Sequence, residues 1–380
     1  MRVKQQYEDV VGRIKEAQTN QKIKTFFIGH MREQAQSILT VKKVVLCGAT
    51  PFAQSVIRNR DLLFQDDVEL IIEDFDRDEL TDYGDCIYIL CSRPNISKHM
   101  NILRKVKNAK VISYQLLLVL EPRLSSQPYA YTYDKIEKQI DDIIEHIQEY
   151  SHIYESLQDD KSKELFMKMI LYRLTYDCKM HEDNATKYAH YFDEDIFSLG
   201  NEEIFVDCGG YNGDTLEVVK NLTGNNYKKY YLFEPDKELI SIAKQKGDDR
   251  DVFINKGVWN CETTLYFKQQ TAAGNGTFVA EKSGGGNNIL EVSVTNLDSV
   301  VEKASFIKMD VEGSELMALE GSKDLIRRCL PVMAICVYHK YEDYRELFSF
   351  IDQLGKYKVY LRAEMDNIDT ELYFLCIPER

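Results

Sequence analysis

Long apolar runs are missing from this chain of 380 residues. The densest, Leu116 to Leu120, is far too short to span a bilayer, which takes about 20 apolar residues in helical form. The opening stretch, MRVKQQYEDVVGRIKEAQ, has no apolar core of the kind that drives secretion. Closely spaced cysteine pairs are missing too. The nine cysteines are scattered with no Cys-x-x-Cys among them, which argues against a disulfide scaffold and fits reduced thiols in a cytoplasmic protein. Cys178 and His181 have ligand-like spacing, but no second pair accompanies them, so no metal site is expected. Positive charge is the last shortage. The net charge is −14, and no cluster of Lys and Arg is dense enough to form a basic stripe. Nucleic acid is thereby disfavoured as a partner.

What is present is ample chain for two or three domains, with ordinary apolar and charged fractions of 44% and 29%. Residues 1–40 read as helix, with Val10, Val11, Ile14, Ile23, Phe26 and Phe27 spaced for one face. Residues 41–122 alternate strand and helix: Val41 to Leu46, Val68 to Asp76, Cys86 to Ser92 and Ala109 to Tyr114 are the strands. That alternation predicts a parallel, doubly wound, Rossmann-like accessory domain. Its first turn, GATPFA, begins with Gly48 but has no second or third glycine, and Thr50 and Phe52 would crowd a pyrophosphate. Glu73 or Asp74 lies where a ribose acid would be, so a dinucleotide or nucleotide-sugar enzyme built on this domain is one reading. A docking or acceptor-positioning domain is the other. The Pro- and Ser-rich stretch from Glu121 to Pro128 reads as a linker, and 123–200 as a helical connector carrying Ile136, Ile140, Ile143, Ile144 and Ile147 on one stripe. Its tyrosines, Tyr172, Tyr176, Tyr188 and Tyr191, read as core or as cover for a pocket.

A second α/β unit occupies 201–380. IFVDCGGYNGDT (204–215) is a short apolar strand ending in Asp207, then Gly209, Gly210 and Gly213, then a helix start. Glycines at such a turn let the backbone approach a nucleotide-like ligand. The next strand ends at Glu234, about twenty residues past the loop, the spacing of a carboxylate that holds ribose hydroxyls. An acid there could instead cap the following helix. A third strand, Val252 to Trp259, would place Asn255 to Val258, with Gly257 and Val258, on the adenine side. The glycine-rich segment AAGNGTFVAEKSGGGNN reads as a mobile cover or as disordered chain. FIKMDVEG then gives a buried strand with Asp310 and Glu312 at its exit and Ser314 as a cap. A fifth strand would end at Tyr338-His339-Lys340, and His339 suits proton transfer near neutral pH. KVYLRAE and ELYFLCIP close the unit as two strands, the second antiparallel.

FVDCGGYNGDT (205–215), FEPD (233–236), IKMDVEGSELMALEG (307–321) and YHKYEDY (338–344) together resemble the FkbM family of Class I methyltransferases. The resemblance implies a seven-stranded sheet flanked by helices and methyl transfer from S-adenosylmethionine, usually to a hydroxyl oxygen. The implied acceptor is a small molecule or glycan of carbohydrate or natural-product type, and a homo-oligomer is compatible with it. It places Asp207, Gly209 and Gly213 on the methionine and ribose side of the pocket, Glu234 on the ribose hydroxyls, and Asp310 and Glu312 beside the methyl and the acceptor. His339 and Asp310 are the base candidates, His339 first, although Asp310 could hold the cofactor instead. A binding module that keeps the fold without turnover is the remaining alternative.

Overall fold

The computed structural model describes residues 2–75, 79–91, 96–107, 109–124, 132–181, 184, 187–269, 276–279, 289–364, 368 and 370–379. The chain divides into two compact units. One is built of Met1–Glu155, Asp160–Ala185 and Ala363–Thr370, the other of Ser156–Asp159, Thr186–Arg362 and Glu371–Arg380. Among the described residues no helix is long and apolar enough to cross a membrane.

In the first unit, β1 (Lys43–Cys47), β2 (Glu69–Glu73), β3 (Ile87–Leu90) and β4 (Lys110–Ser113) form a sheet of order β2-β1-β3-β4. All three pairings are parallel, as expected from the alternating pattern. Val44, Val45 and Leu46 are fully buried, which is what a strand covered on both faces requires. The expected helix over 1–40 is two helices, Arg2–Glu16 and Asn20–Gln36, because the Thr19 side chain accepts from the Lys22 amide and starts a new one. In the helical connector expected over 123–200, α-helix stops at Thr175, where Tyr176 adopts φ 51°, a left-handed conformation that no α-helix continues.

The turn at Gly48 is poorly equipped for phosphate. Pro51 supplies no N–H, and Thr50 Oγ1 donates to the Cys91 carbonyl at 2.7 Å while accepting from the Ala53 amide at 3.5 Å. The candidate ribose acid Glu73 is committed as well, since its Oε1 accepts from the Thr81 amide and hydroxyl at 2.9 and 3.0 Å. Residues 125–128 of the expected linker lie outside the described residues.

In the second unit, the strands are β5 (Ile204–Cys208), β6 (Lys229–Phe233), β7 (Asp251–Ile254), β8 (Gly257–Val258), β9 (Thr263–Gln269), β10 (Gly276–Val279), β11 (Ile289–Thr295), β12 (Phe306–Met309), β13 (Val332–Cys336), β14 (Tyr357–Ala363) and β15 (Leu372–Pro378). The main sheet has seven strands in the order β14-β15-β13-β12-β5-β6-β7, and a second sheet runs β10-β9-β11-β8. β15 is antiparallel to β13, while β12, β5, β6 and β7 are parallel. The expected single strand over 252–259 is split. Asn255 turns its side-chain amide onto the Glu234 and Pro235 carbonyls, 2.9 Å each, so the chain leaves the main sheet and Gly257 and Val258 pair with β11 instead. Of the glycine-rich segment that follows, 272–275 and 280–288 lie outside the described residues.

Aromatic rings fill the space beneath the central strands. Phe306 stacks on Phe192 at 5.1 Å and meets Phe205 at 5.6 Å. On β14, Arg362 is almost wholly buried and its guanidinium pairs with Asp193 at 2.5 Å and Asp159 at 2.6 Å.

Candidate active site

The carboxyl ends of β5, β6 and β12 are adjacent in the sheet, so the residues at their tips converge although they lie far apart in the chain. The glycine turn after β5 is pressed between its neighbours. Gly209 has φ +78°, and a Cβ there would sit 1.8 Å from the Asp310 carbonyl oxygen. A Cβ on Gly210 would meet Leu232 Cγ at 2.3 Å. Both amides donate to the Phe233 carbonyl at 3.0 Å. Gly213, φ +79°, starts the helix Asp214–Leu222. The close approach expected of these glycines is therefore made to strand β6 and to the exit of β12.

Glu234 is buried, and its two carboxylate oxygens accept from the Asp236 amide at 2.8 Å and the Tyr211 amide at 3.0 Å. It does not cap the next helix, because Asp236 does that, accepting from Glu238 and Leu239. Burial raises the Glu234 carboxyl to about 7, against the pull of those two amides. A carboxylate held by backbone donors, with a lone pair left on each oxygen, suits a vicinal diol. Tyr211, beside it, is exposed and holds φ 45°.

Beneath the loop, β5 and β12 are in register with Lys308 beside Asp207. Lys308 Nζ donates to the Gly209 carbonyl at 2.6 Å and lies 3.1 Å from Asp207 Oδ1. The Tyr230 hydroxyl donates to Asp207 Oδ2 at 2.8 Å. Burial alone would push the Lys308 ammonium down; the Asp207 and Asp310 carboxylates outweigh it and hold it above the ordinary range.

At the exit of β12 the chain turns sharply through Glu312 (φ 54°) and Gly313 (φ +91°). Glu315, fully buried, holds the turn by accepting from the Val311 amide at 2.9 Å and the Gly313 amide at 3.3 Å. Ser314, expected as a cap, makes no cap bond; its hydroxyl donates to the Val311 carbonyl at 2.6 Å. β13 ends at Cys336, so His339 stands in the loop beyond it rather than at the strand end. Its Nδ1 is 2.9 Å from Glu315, and its Nε2 is 3.4 Å from Asp310 and 3.6 Å from Glu312. Burial would lower the imidazole, but Glu315, Asp310 and Glu312 together raise it to about 10. The ring is thus an imidazolium at neutral pH and supplies the positive charge this acidic group needs. Burial pushes Asp310 up, yet the charges of Lys308, His339 and His190 outweigh it and bring the carboxyl below its ordinary value. The Tyr191 and Tyr338 hydroxyls donate to its two oxygens at 3.2 and 3.3 Å. Glu312, with 39% of its side chain exposed, is raised to about 7 by desolvation and by the neighbouring carboxylates, against the pull of His339.

Asp207, Gly209, Gly210, Glu234, Asp310, Glu312 and His339 thus cluster along one edge of the sheet, with Gly213 at the loop's far end. Gly257 and Val258 sit past β7 in the second sheet. Lys308, Glu315 and Tyr230 were not singled out as site residues from the sequence, while Tyr191 was read as core or pocket cover and Tyr338 only as part of a strand end. The signal for Lys308 was present, as a lysine inside an otherwise apolar buried strand.

A sheet of this order, with a glycine turn after its first strand and acids at the tips of the second and fourth, has the Class I, Rossmann-like methyltransferase fold. Residues 207–361 match the family model described as the Methyltransferase FkbM domain. The second unit is an FkbM methyltransferase domain, and S-adenosylmethionine is its methyl donor. In fold, the chain is similar to a crystal structure of methyltransferase FkbM from Methylobacillus flagellatus KT, with TM-score 0.66 and 17% identity over 98% of this chain and 99% of that one. An rRNA methylase from Streptococcus thermophilus matches at TM-score 0.31 and 15% identity, over 48% of this chain and 89% of its own. Aeropyrum pernix fibrillarin, solved with natively bound S-adenosyl-L-methionine, matches at TM-score 0.31 and 12% identity, over 47% of this chain and 69% of its own. No curated protein matches the sequence significantly.

Proposed function

We propose that the second unit methylates a hydroxyl oxygen on a small carbohydrate or natural-product-type acceptor. Asp207, the glycine loop and Glu234 form the donor side; Asp310, Glu312 and His339 form the acceptor side. The donor supplies an electrophilic methyl on a sulfonium sulfur. The observation that carries the reading is the group at the exit of β12: a half-exposed carboxyl raised to about 7 beside a fixed imidazolium. A hydroxyl needs a proton acceptor as its oxygen becomes the nucleophile, and a base works best when its pKa is near the working pH.

The base preferred on sequence grounds, His339, is protonated in this setting and has no free lone pair to offer. The proton therefore goes to Glu312. His339 fixes the position of Asp310 and Glu312, and Asp310 stays ionised beside the methyl. Most of the acceleration comes from holding acceptor and methyl in line.

The test is transfer of labelled methyl to a panel of sugars and nucleotide sugars. Label is expected in an alkali-stable methyl ether. Transfer to nitrogen or to a carboxylate, or no binding of S-adenosylhomocysteine, would overturn the reading.

A further inference from the structure

Nothing about β12 as a strand calls for a lysine. Phe306, Ile307 and Met309 beside it are apolar and at most 2% exposed, and Lys308 itself is 4% exposed. An unpaired ammonium there would cost several kcal/mol. The strand register sets it beside Asp207, and its Nζ reaches over that carboxylate to the Gly209 carbonyl, with the Tyr191 ring centroid 5.7 Å away.

We propose that Lys308 is a positioning residue of the donor pocket. Its ammonium fixes the Gly209 peptide and cancels the charge of the buried Asp207 carboxylate. This rests on the assignment of the glycine loop as the donor pocket.

The chemistry explains why cancellation matters. Methyl transfer discharges the sulfonium: the acceptor oxygen gains the S–CH3 methyl, the sulfur keeps the electron pair, and the hydroxyl proton leaves to a base. An uncancelled Asp207 carboxylate would stabilise the charged donor more than the transition state, in which that charge is fading, and so would slow the step. With Lys308 in place the pocket holds the cationic donor and its neutral-sulfur product with comparable strength. The lysine also acts on the loop's carbonyl side while Phe233 holds its amide side, so the turn is fixed from both directions.

The test is calorimetric titration of the full chain at pH 8 with S-adenosylmethionine and with S-adenosylhomocysteine. Lys308→Gln is expected to weaken S-adenosylhomocysteine about tenfold and to raise the preference for the cationic donor about tenfold, the effect of one uncancelled charge worth about 1.4 kcal/mol. Lys308→Arg restores both affinities. Asp207→Asn, which keeps the lysine, moves the preference about tenfold the other way, and it keeps the test alive should Lys308→Gln not fold. A merely structural lysine would weaken both ligands together, so an unchanged preference in the variants would overturn the proposal. Absence of binding by the unaltered chain would instead overturn the pocket assignment.

Discussion

Glu312 stands half ionised near neutral pH because burial and neighbouring carboxylates raise it while His339 pulls it back. Glu312→Gln should lower kcat about 100-fold or more, the usual worth of a general base, and leave S-adenosylhomocysteine affinity unchanged. A variant with undiminished turnover would remove Glu312 from the mechanism. Removing the imidazolium has a signed consequence. His339 lowers Glu312, so His339→Gln raises it further, and the rising limb of the pH–rate profile should move to higher pH; a shift to lower pH would contradict the charge assigned to the ring. Glu234 makes a third case. It is protonated below about 7, and only the ionised form accepts from two hydroxyls. Affinity for S-adenosylhomocysteine should climb about tenfold between pH 6 and pH 8, and Glu234→Gln should be weaker with a flat profile. The acids themselves were legible in the sequence, because each stands at the end of an apolar run. The charge on His339 was not, because it depends on Glu315, a residue that reads as an ordinary helix start until the left-handed turn at Glu312 and Gly313 folds it back onto the ring.

The elements around the site work by close approach. Gly209 combines positive φ with no space for a side chain. Gly209→Ala should cost about 2–4 kcal/mol of stability and abolish cofactor binding; differential scanning calorimetry with titration reads both, and an unaltered melt would show that the loop has another conformation open to it. Strand positions in the first unit's sheet and in the seven-stranded sheet followed from apolar runs bounded by glycine and acid, whereas β10 lies inside the glycine-rich segment read as a mobile cover or disordered chain. The division of 252–259 did not, since Asn255 and its two carbonyl partners are brought together only once β6 has paired with β7.

At the scale of the molecule, neither unit is one continuous stretch. Asp159 and Asp193 both serve the buried Arg362, and Leu157 and Gln158 extend the sheet by pairing with Val359 on its edge. A fragment cut at 201, the boundary suggested by composition, would bury an unpaired guanidinium and lose Phe192 from the aromatic core. It should fail to melt cooperatively, and a fragment that melts sharply and binds S-adenosylhomocysteine would refute this. That dependence was illegible because the partners are single residues scattered through helical and loop sequence, with no pattern of their own. The strand order also has a consequence in time. β15 lies between β13 and β14 yet is synthesised after both. Before β15 is made, β5, β6, β7, β12 and β13 can already pair, but β13 and β14 each lack the neighbour that β15 supplies. The β5, β6, β7 and β12 part of the sheet is thus ready before β15 closes the rest, and for those moments the nascent chain offers two unpaired edges to any strand that meets them.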